Sequence, residues 1–248
     1  MKNNRRVIGY SVIVALGGLL FGLDTAVISG AEQPIQALYK LSNFKHGFTV
    51  AIAIIGAVAG AFSAGFPAER FGRKKVIVTI AFIFTISSIL CAVAPNWIVL
   101  VIFRFIGGLA IGASSVVGPM YIAEIAPADI RGRLVAFFQL NVTVGLFVAY
   151  SSNYLFSGIG DNAWRWMLGI VAVPSIIFFA LAFIIPESPR WLVKQNFIEE
   201  ARNVLTLCGR LDIEKEIDEI IDSLKIVSSS AVENYLVRNI SSQFYMLY

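Results

Sequence analysis

The sequence predicts an all-α membrane protein: six transmembrane helices that form a 3+3 inverted repeat, followed by cytoplasmic helices. Its composition is 57% hydrophobic and 15% charged, whereas a soluble domain is about a quarter charged. Six apolar runs are long enough to cross a bilayer as a helix, which takes ~20 residues. A GGxxxG pattern occurs in the first and the fourth run, at residues 17–22 and 107–112. Small residues let helices approach closely, and symmetry between two triplets of helices indicates the repeat.

The six apolar runs give the predicted transmembrane helices in chain order. The first run contains a single carboxylate. It is too long for the apolar core of a signal peptide, and no small-x-small cleavage site follows it, so it is predicted to be a retained helix. The predicted helices span residues 7–31, 47–68, 76–94, 97–121, 134–156 and 166–185.

After Trp191 the composition changes, and residues 199–224 are rich in charge. Isoleucine and leucine recur there at helical spacing and form one apolar stripe. This pattern predicts an intracellular helical segment, with a partner-binding helix as the alternative. The predicted domains are a cytoplasmic N-terminus (1–6), a six-helix transmembrane domain (7–192), the helical segment (193–226) and an atypical tail (227–248).

Basic residues predict the orientation. With the N-terminus in the cytoplasm, eleven lysine and arginine residues lie in inner loops and three in outer loops, which is the positive-inside bias. We therefore expect a multi-pass protein of the cell membrane with a cytoplasmic N-terminus. The inner residues are Lys2, Arg5, Arg6, Arg70, Arg73, Lys74, Lys75, Arg131, Arg133, Arg190 and Lys194, and the outer ones are Lys40, Lys45 and Arg165.

Asp24 is the carboxylate within the first predicted helix. Ionisable groups in hydrocarbon are rare and face a bundle interior or a wet cavity, which makes Asp24 a candidate functional residue. Its predicted partner is Arg104, since each lies seven residues from the outer end of its helix and therefore about 10 Å deep at ~1.5 Å per residue. The alternative is that Arg104 extends outward and Asp24 faces a vestibule alone.

Other functional classes find little support. The net charge is +4, but the basic residues are spread over short loops, so no nucleic-acid partner is predicted. Cys91 and Cys208 lack metal-ligand spacing and His46 stands alone, so neither a metal nor a cofactor is predicted. The sequence offers no nucleophile-base set or phosphate loop, and an enzyme is not predicted.

Residues 65–75, GFPAERFGRKK, form a short loop between the second and third helices. Gly72 is predicted to supply a tight turn, and Glu69, Arg70 and Arg73 to cap the adjoining helix ends. The segment resembles the cytoplasmic signature G-x-x-x-D-R-x-G-R-[RK] of the major facilitator superfamily, with Glu69 where aspartate is common.

Further segments narrow the resemblance to the sugar porter family, closest to bacterial symporters of the xylose-proton type. They are LLFGLDTAVISG, RFIGG, PMYIAEIAPADIRGRL, WRWMLG and PESPRWL. The resemblance covers about residues 7–224 and implies the N-terminal six-helix half of a major facilitator fold. It further implies transport of a xylose- or glucose-like monosaccharide, coupled to a proton.

The resemblance assigns roles to four residues. Asp24 matches the acid that takes and releases the proton, and Arg104 matches its helix-four partner. Facilitators of the family tend to carry a neutral residue at the first position, so Asp24 favours symport. Gln139 matches a glutamine that hydrogen-bonds sugar hydroxyls, and Phe21 an aromatic of the same cavity. The alternatives are an interhelical hydrogen bond for Gln139 and simple packing for Phe21.

The resemblance also implies a cytoplasmic charge network that latches the two halves of the transporter in the outward-facing state. The alternative is that exposed loop charges set the topology and contribute ~0–1 kcal/mol each. The predicted network consists of Gly65, Glu69, Arg70, Gly72, Arg73, Glu124, Arg131, Glu187 and Arg190.

Toward its end the sequence departs from the family. Relatives continue into a seventh helix with a glutamine pair and five more helices, whereas residues 227–248 contain no run that could span a membrane. We therefore expect a truncated, frame-shifted or split transporter, whose activity needs a second half-transporter chain or self-association. A facilitated uniporter and a non-transporting or regulatory six-helix fragment are the alternatives to symport.

Overall fold

The computed structural model describes residues 4–225, which contain helices and no β-strand. Six spans among these residues are long and apolar enough to cross a membrane, as predicted. Five of the spans are single helices, and α7 and α8 together make the sixth. The helices are α1 (Asn4–Tyr39), α2 (Asn43–Ser63), α3 (Gly65–Phe71), α4 (Arg73–Ala92), α5 (Trp97–Ile125), α6 (Ala128–Phe156), α7 (Ala163–Gly169), α8 (Ala172–Ala182), α9 (Pro189–Lys194) and α10 (Ile198–Leu207).

The predicted ends of the first two helices are wrong. The first helix continues past residue 31 to Tyr39, because Ile35 extends its buried face and is fully buried. The second begins at Asn43, where the Ser42 hydroxyl accepts a hydrogen bond from the Lys45 amide at 3.4 Å. Its predicted last turn belongs instead to the separate short helix α3. Apolar composition thus located the helices but missed their amphipathic ends.

Residues 4–188 form one compact unit, and residues 189–225 belong to a second. The second unit contains α9, α10 and helical backbone at 213–225. Arg202 of α10 binds Glu214 through Nε at 2.7 Å, and this hydrogen bond lowers the pKa of the Glu214 carboxyl. The predicted apolar stripe is less exposed than its charged neighbours. The predicted tail, 227–248, lies outside the described residues.

Within the first unit, α1 and α6 approach so closely that only glycine fits between them. A Cβ atom added to Gly22 would overlap the backbone carbonyl of Val142, and one added to Gly18 would overlap that of Phe138. Gly145 of α6 makes the same kind of contact with the backbone of α1. Backbone-to-backbone contact of this kind is how small residues join helices in a membrane.

The pair α2 and α5 repeats this packing. A Cβ atom added to Gly108 or Gly112 of α5 would overlap the carbonyls of Ala53 or Ala57, and Gly60 of α2 meets the backbone of α5 in return. The first triplet of spans is α1, α2 and α4, and the second is α5, α6 and α7 with α8. When the triplets are matched in order, α1 corresponds to α5 and α6 to α2, so the α1–α6 pair corresponds to the α5–α2 pair. The GGxxxG patterns therefore occupy equivalent places in an inverted repeat.

The first glycine of each pattern has a different neighbour. Gly17 faces the hydroxyl of Ser114 in α5, and Gly107 faces the hydroxyl of Ser87 in α4. In both cases a serine occupies the space that a glycine leaves open. The two serines lie in helices that the matching of the triplets does not relate, so the equivalence of the two patterns does not extend to these side-chain contacts.

A single methyl group tests this packing. We expect Gly22→Ala to lower the stability of the purified chain by ~1–3 kcal/mol, because the added carbon overlaps a carbonyl that cannot move without its helix. Gly9→Ala, in the same helix, is the matched control, since nothing lies within 4 Å of its added Cβ. The measurement is thermal unfolding in one detergent; equal midpoints for the two variants would contradict the close approach of α1 and α6.

Candidate functional site

A cavity of about 230 Å³ lies between α1, α2 and α5. Most of its wall is apolar, and the exceptions are Asp24 and Thr25 of α1 and Arg104 of α5. The two groups that the sequence predicted to meet thus line one cavity. The remaining lining residues are Phe21, Ile28, Val50, Ala53, Ile54, Ala57, Gly108 and Ile111.

Arg104 is buried within this apolar surrounding, with 4% of the residue exposed, and its Nε atom has no hydrogen-bond partner among residues 4–225. Asp24 is half-buried. Between these two described side chains there is no ion pair within 4.0 Å. A buried guanidinium with unused hydrogen-bonding capacity is costly. The carboxylate of Asp24 is the negative charge that lines the same cavity as this guanidinium.

The two predicted sugar-contacting residues lie in different surroundings. Phe21 lines the cavity one helical turn before Asp24. Gln139 is exposed on α6, and its side chain has no hydrogen bond with another described residue. The alternative of an interhelical hydrogen bond is therefore not realised for Gln139 within residues 4–225, and its amide is available to a ligand.

At the other end of the bundle, Arg73 is the centre of a cluster of charged groups. Its Nε and Nη2 atoms bind the two carboxylate oxygens of Glu124, each at 2.9 Å. Nη2 also binds Glu69 at 2.7 Å, and Nη1 donates to the carbonyl of Ala68 at 3.0 Å. Arg73 is 3% exposed, so this bidentate pair is a buried interaction and not a solvated loop contact.

Glu187 has a role that the sequence did not predict. Its Oε1 atom accepts hydrogen bonds from the backbone amides of Arg73 at 2.7 Å and Lys74 at 3.0 Å, which are the first two residues of α4. The carboxylate thus caps the positive end of that helix. Gly72 has φ = +97°, and a Cβ atom there would overlap the Glu187 carboxylate. Glycine is therefore needed both for the turn and for the cap.

Two other predicted network residues, Arg131 and Arg70, make contacts of their own. Arg131 donates to the carbonyl of Ala126 at 3.4 Å and makes no described ion pair with Glu124. Arg70 lies over the rings of Phe66 and Phe71, at 6.0 and 5.5 Å.

The last two predicted network residues are Gly65 and Arg190. Gly65, the first residue of α3, has open space around an added Cβ atom. Arg190 is half-buried in α9, in the second unit.

Arg165 is a further residue whose role the sequence did not indicate. Its guanidinium donates to the carbonyls of Ala92 and Ala94, each at 3.0 Å, and stacks on the Trp164 ring at 4.3 Å. A cation at these carbonyls complements the negative end of α4. The adjacent tryptophans and arginine in WRW were a signal of stacking, but nothing in the spacing pointed to α4.

Comparisons with known proteins agree with this architecture. The family model described as "Sugar (and other) transporter" matches residues 10–247. The D-xylose transporter of Levilactobacillus brevis is 45% identical over 217 residues, which cover 86% of this chain and 47% of the relative. The galactose-proton symporter of Escherichia coli (strain K12) is 39% identical over 219 residues, covering 88% of this chain and 47% of the relative.

The structure of the E. coli xylose transporter XylE in a partially occluded inward-open conformation matches with a TM-score of 0.83. The identity is 32%, and the match covers 91% of this chain and 61% of that chain. The present chain spans about half the length of the curated relatives that it matches.

The Arg73 cluster makes a prediction about stability. Arg73→Met is expected to cost ~3–5 kcal/mol, because it leaves the Glu124 carboxylate buried without its cation. Lys75→Met is the control, since Lys75 is exposed two residues further along the same helix. Urea or thermal unfolding in detergent measures both. Adding Glu124→Gln to Arg73→Met should restore part of the loss, and similar stabilities for the two single variants would show that the cluster contributes little.

Proposed function

Because this chain belongs to the sugar transporter family of the major facilitator superfamily, we propose that it is the six-helix half of a proton-coupled monosaccharide symporter that carries the proton site. The observation that carries the proposal is the cavity between α1, α2 and α5, where Asp24 and Arg104 lie together in an otherwise apolar wall. A carboxylate and a guanidinium at this depth are expensive to maintain in a membrane protein.

The interaction between the Asp24 carboxylate and the Arg104 guanidinium depends on the distance between them. A nearby guanidinium stabilises the carboxylate, whereas burial in an apolar environment stabilises the neutral acid. A movement that changes the separation of Asp24 and Arg104 therefore changes how often Asp24 carries a proton. Proton binding and release are thereby tied to the conformation of α1 and α5.

For the substrate we propose a xylose- or glucose-like monosaccharide. Gln139 offers an amide that both donates and accepts hydrogen bonds, as a polyol requires, and Phe21 offers an aromatic surface in the cavity. The named relatives are a D-xylose transporter and a galactose-proton symporter. In this proposal Gln139 contacts sugar hydroxyls and Phe21 lies against the sugar ring.

The complete transport unit is proposed to contain a second six-helix unit. Alternating access in this superfamily is the rocking of two six-helix halves around a site between them, and the present chain contributes one half. A second half-transporter polypeptide or a second copy of this chain would supply the other. We place the assembly in the cell membrane with the N-terminus in the cytoplasm, on the distribution of basic residues among its loops. In the same proposal the cluster around Arg73 belongs to the cytoplasmic latch.

Uptake by proteoliposomes tests the proposal. We expect labelled xylose or glucose to accumulate when an inward proton gradient is applied and the external medium to become more alkaline, because sugar and proton enter together. Asp24→Asn is expected to abolish accumulation, since the amide cannot carry the proton. Asp161→Asn, which changes an exposed carboxylate in a loop, is the matched control and is expected to behave as the unmodified chain.

Two results would contradict the proposal in different ways. Equilibration of sugar without accumulation, unaffected by Asp24→Asn, would identify a facilitated uniporter. Absence of uptake by folded protein, alone and after co-reconstitution with the C-terminal half of a relative, would identify a non-transporting or regulatory fragment.

A further inference from the structure

The turn of α5 that carries Arg104 is attached to α4 by two side chains. The hydroxyl of Ser87 donates a hydrogen bond to the carbonyl of Phe103, the residue directly before Arg104. One helical turn further along α4, the thiol of Cys91 lies 4.0 Å from the carbonyl of Leu100. In an α-helix, the carbonyl of Leu100 is the acceptor for the amide of Arg104. The two contacts therefore act on the backbone that positions this arginine.

Gly107 makes this attachment possible. A Cβ atom added to Gly107 would lie 2.6 Å from the Ser87 hydroxyl oxygen, closer than two such atoms can approach. The glycine thus leaves the space through which Ser87 reaches the α5 backbone. Ser87 is 2% exposed, and a hydrogen bond that is shielded from water in this way is stronger than one exposed to solvent.

The neighbouring Ser88 has the same side chain, but its hydroxyl points toward a different helix. It is also buried, at 5% exposure, but its hydroxyl bonds to the Thr85 carbonyl at 3.0 Å and lies 3.3 Å from the Ser175 hydroxyl of α8. Two adjacent serines of α4 thus serve different helices. Of the two, only Ser87 contacts the turn that carries Arg104.

We propose that Ser87 is a positioning residue for the proton site: through its bond to the Phe103 carbonyl it holds Arg104 at the cavity wall, short of a closed ion pair with Asp24. The Nε atom of Arg104 lacks a hydrogen-bond partner in the described part of the chain, and Asp24 lines the same cavity. Attraction between the two charges would close the gap if the α5 turn were free to move. The attachment to α4 opposes this closure and leaves Asp24 able to accept a proton.

This inference rests on the proposed function, but its first test does not require the protein to transport sugar. Infrared spectroscopy of the chain in lipid records the C=O stretch of protonated carboxyl groups, and the loss of intensity in Asp24→Asn identifies the part due to Asp24. At a pH where this part is visible, Ser87→Ala is expected to weaken it about threefold, because a guanidinium that approaches the carboxylate favours its charged form. Ser88→Ala, the matched control, should leave it unchanged.

Two further variants keep the test decisive. Gly107→Ala displaces the Ser87 hydroxyl by another route and is expected to weaken the same band. Ser87→Thr keeps the hydroxyl and is expected to restore it. If the band is unchanged in folded Ser87→Ala and Gly107→Ala, or if Ser88→Ala changes it equally, Ser87 does not position Arg104.

Transport gives a second readout. In reconstituted protein that accumulates sugar, Ser87→Ala should reduce gradient-driven accumulation several-fold while exchange of internal for external sugar continues, because exchange needs no net movement of the proton. A loss of both in equal measure would indicate general damage and overturn the assignment. If the unmodified chain moves no sugar, alone and after co-reconstitution with the C-terminal half of a relative, yet the infrared change follows Ser87 alone, the proposed function fails and the positioning role stands.

Discussion

The close approach of helix backbones at the two GGxxxG patterns is the constraint on which the rest of the first unit depends. At Gly22 and Gly112 the neighbouring helix presents a carbonyl where any side chain would begin. These contacts bind α1 to α6 and α5 to α2 as tight pairs. The cavity lies where the pairs meet, and Gly108 is itself part of its wall. Packing that excludes side chains at the glycines thus leaves a space for the charged side chains of Asp24, two residues after Gly22, and of Arg104, two turns before Gly112.

Two buried arginines show how differently one structure treats the same group. Arg73 uses Nε, Nη1 and Nη2 in hydrogen bonds to carboxylates and a carbonyl. Arg104 is as deeply buried, and its Nε atom has no hydrogen bond to any residue that the structure describes. A fully bonded guanidinium stabilises one arrangement of its neighbours. An incompletely bonded one has more to gain from a change in arrangement, which suits a group that responds to proton binding.

The sequence predicted the elements of this structure better than the contacts between them. Hydropathy located six spans. Equal distances from the predicted helix ends indicated that Asp24 and Arg104 would meet, and both line one cavity although α1 continues beyond its predicted end to Tyr39. The cap that Glu187 provides could not be predicted, because it joins residues 114 positions apart in the chain. The contact of Ser87 with the α5 backbone could not be predicted for a different reason: serine is ordinary in a membrane helix, and only the packing of α4 against Gly107 gives it a partner. Depth along a helix can be counted, whereas the facing direction of a neighbouring helix depends on packing.

The helix α4 connects the two charged regions of the first unit. Its first residue, Arg73, is the centre of the charged cluster with Glu69 and Glu124, and its amide end is capped by Glu187. Ser87 lies fourteen residues further on, about 21 Å along the axis at ~1.5 Å per residue, and there it contacts the turn that carries Arg104. A closely packed helix moves as a rigid body, because its packing resists local deformation. A displacement of α4 at the Arg73 cluster would therefore also displace Ser87 and, through it, the turn that carries Arg104. In return, a change in the Asp24–Arg104 pair would act on the Arg73 cluster through the same helix.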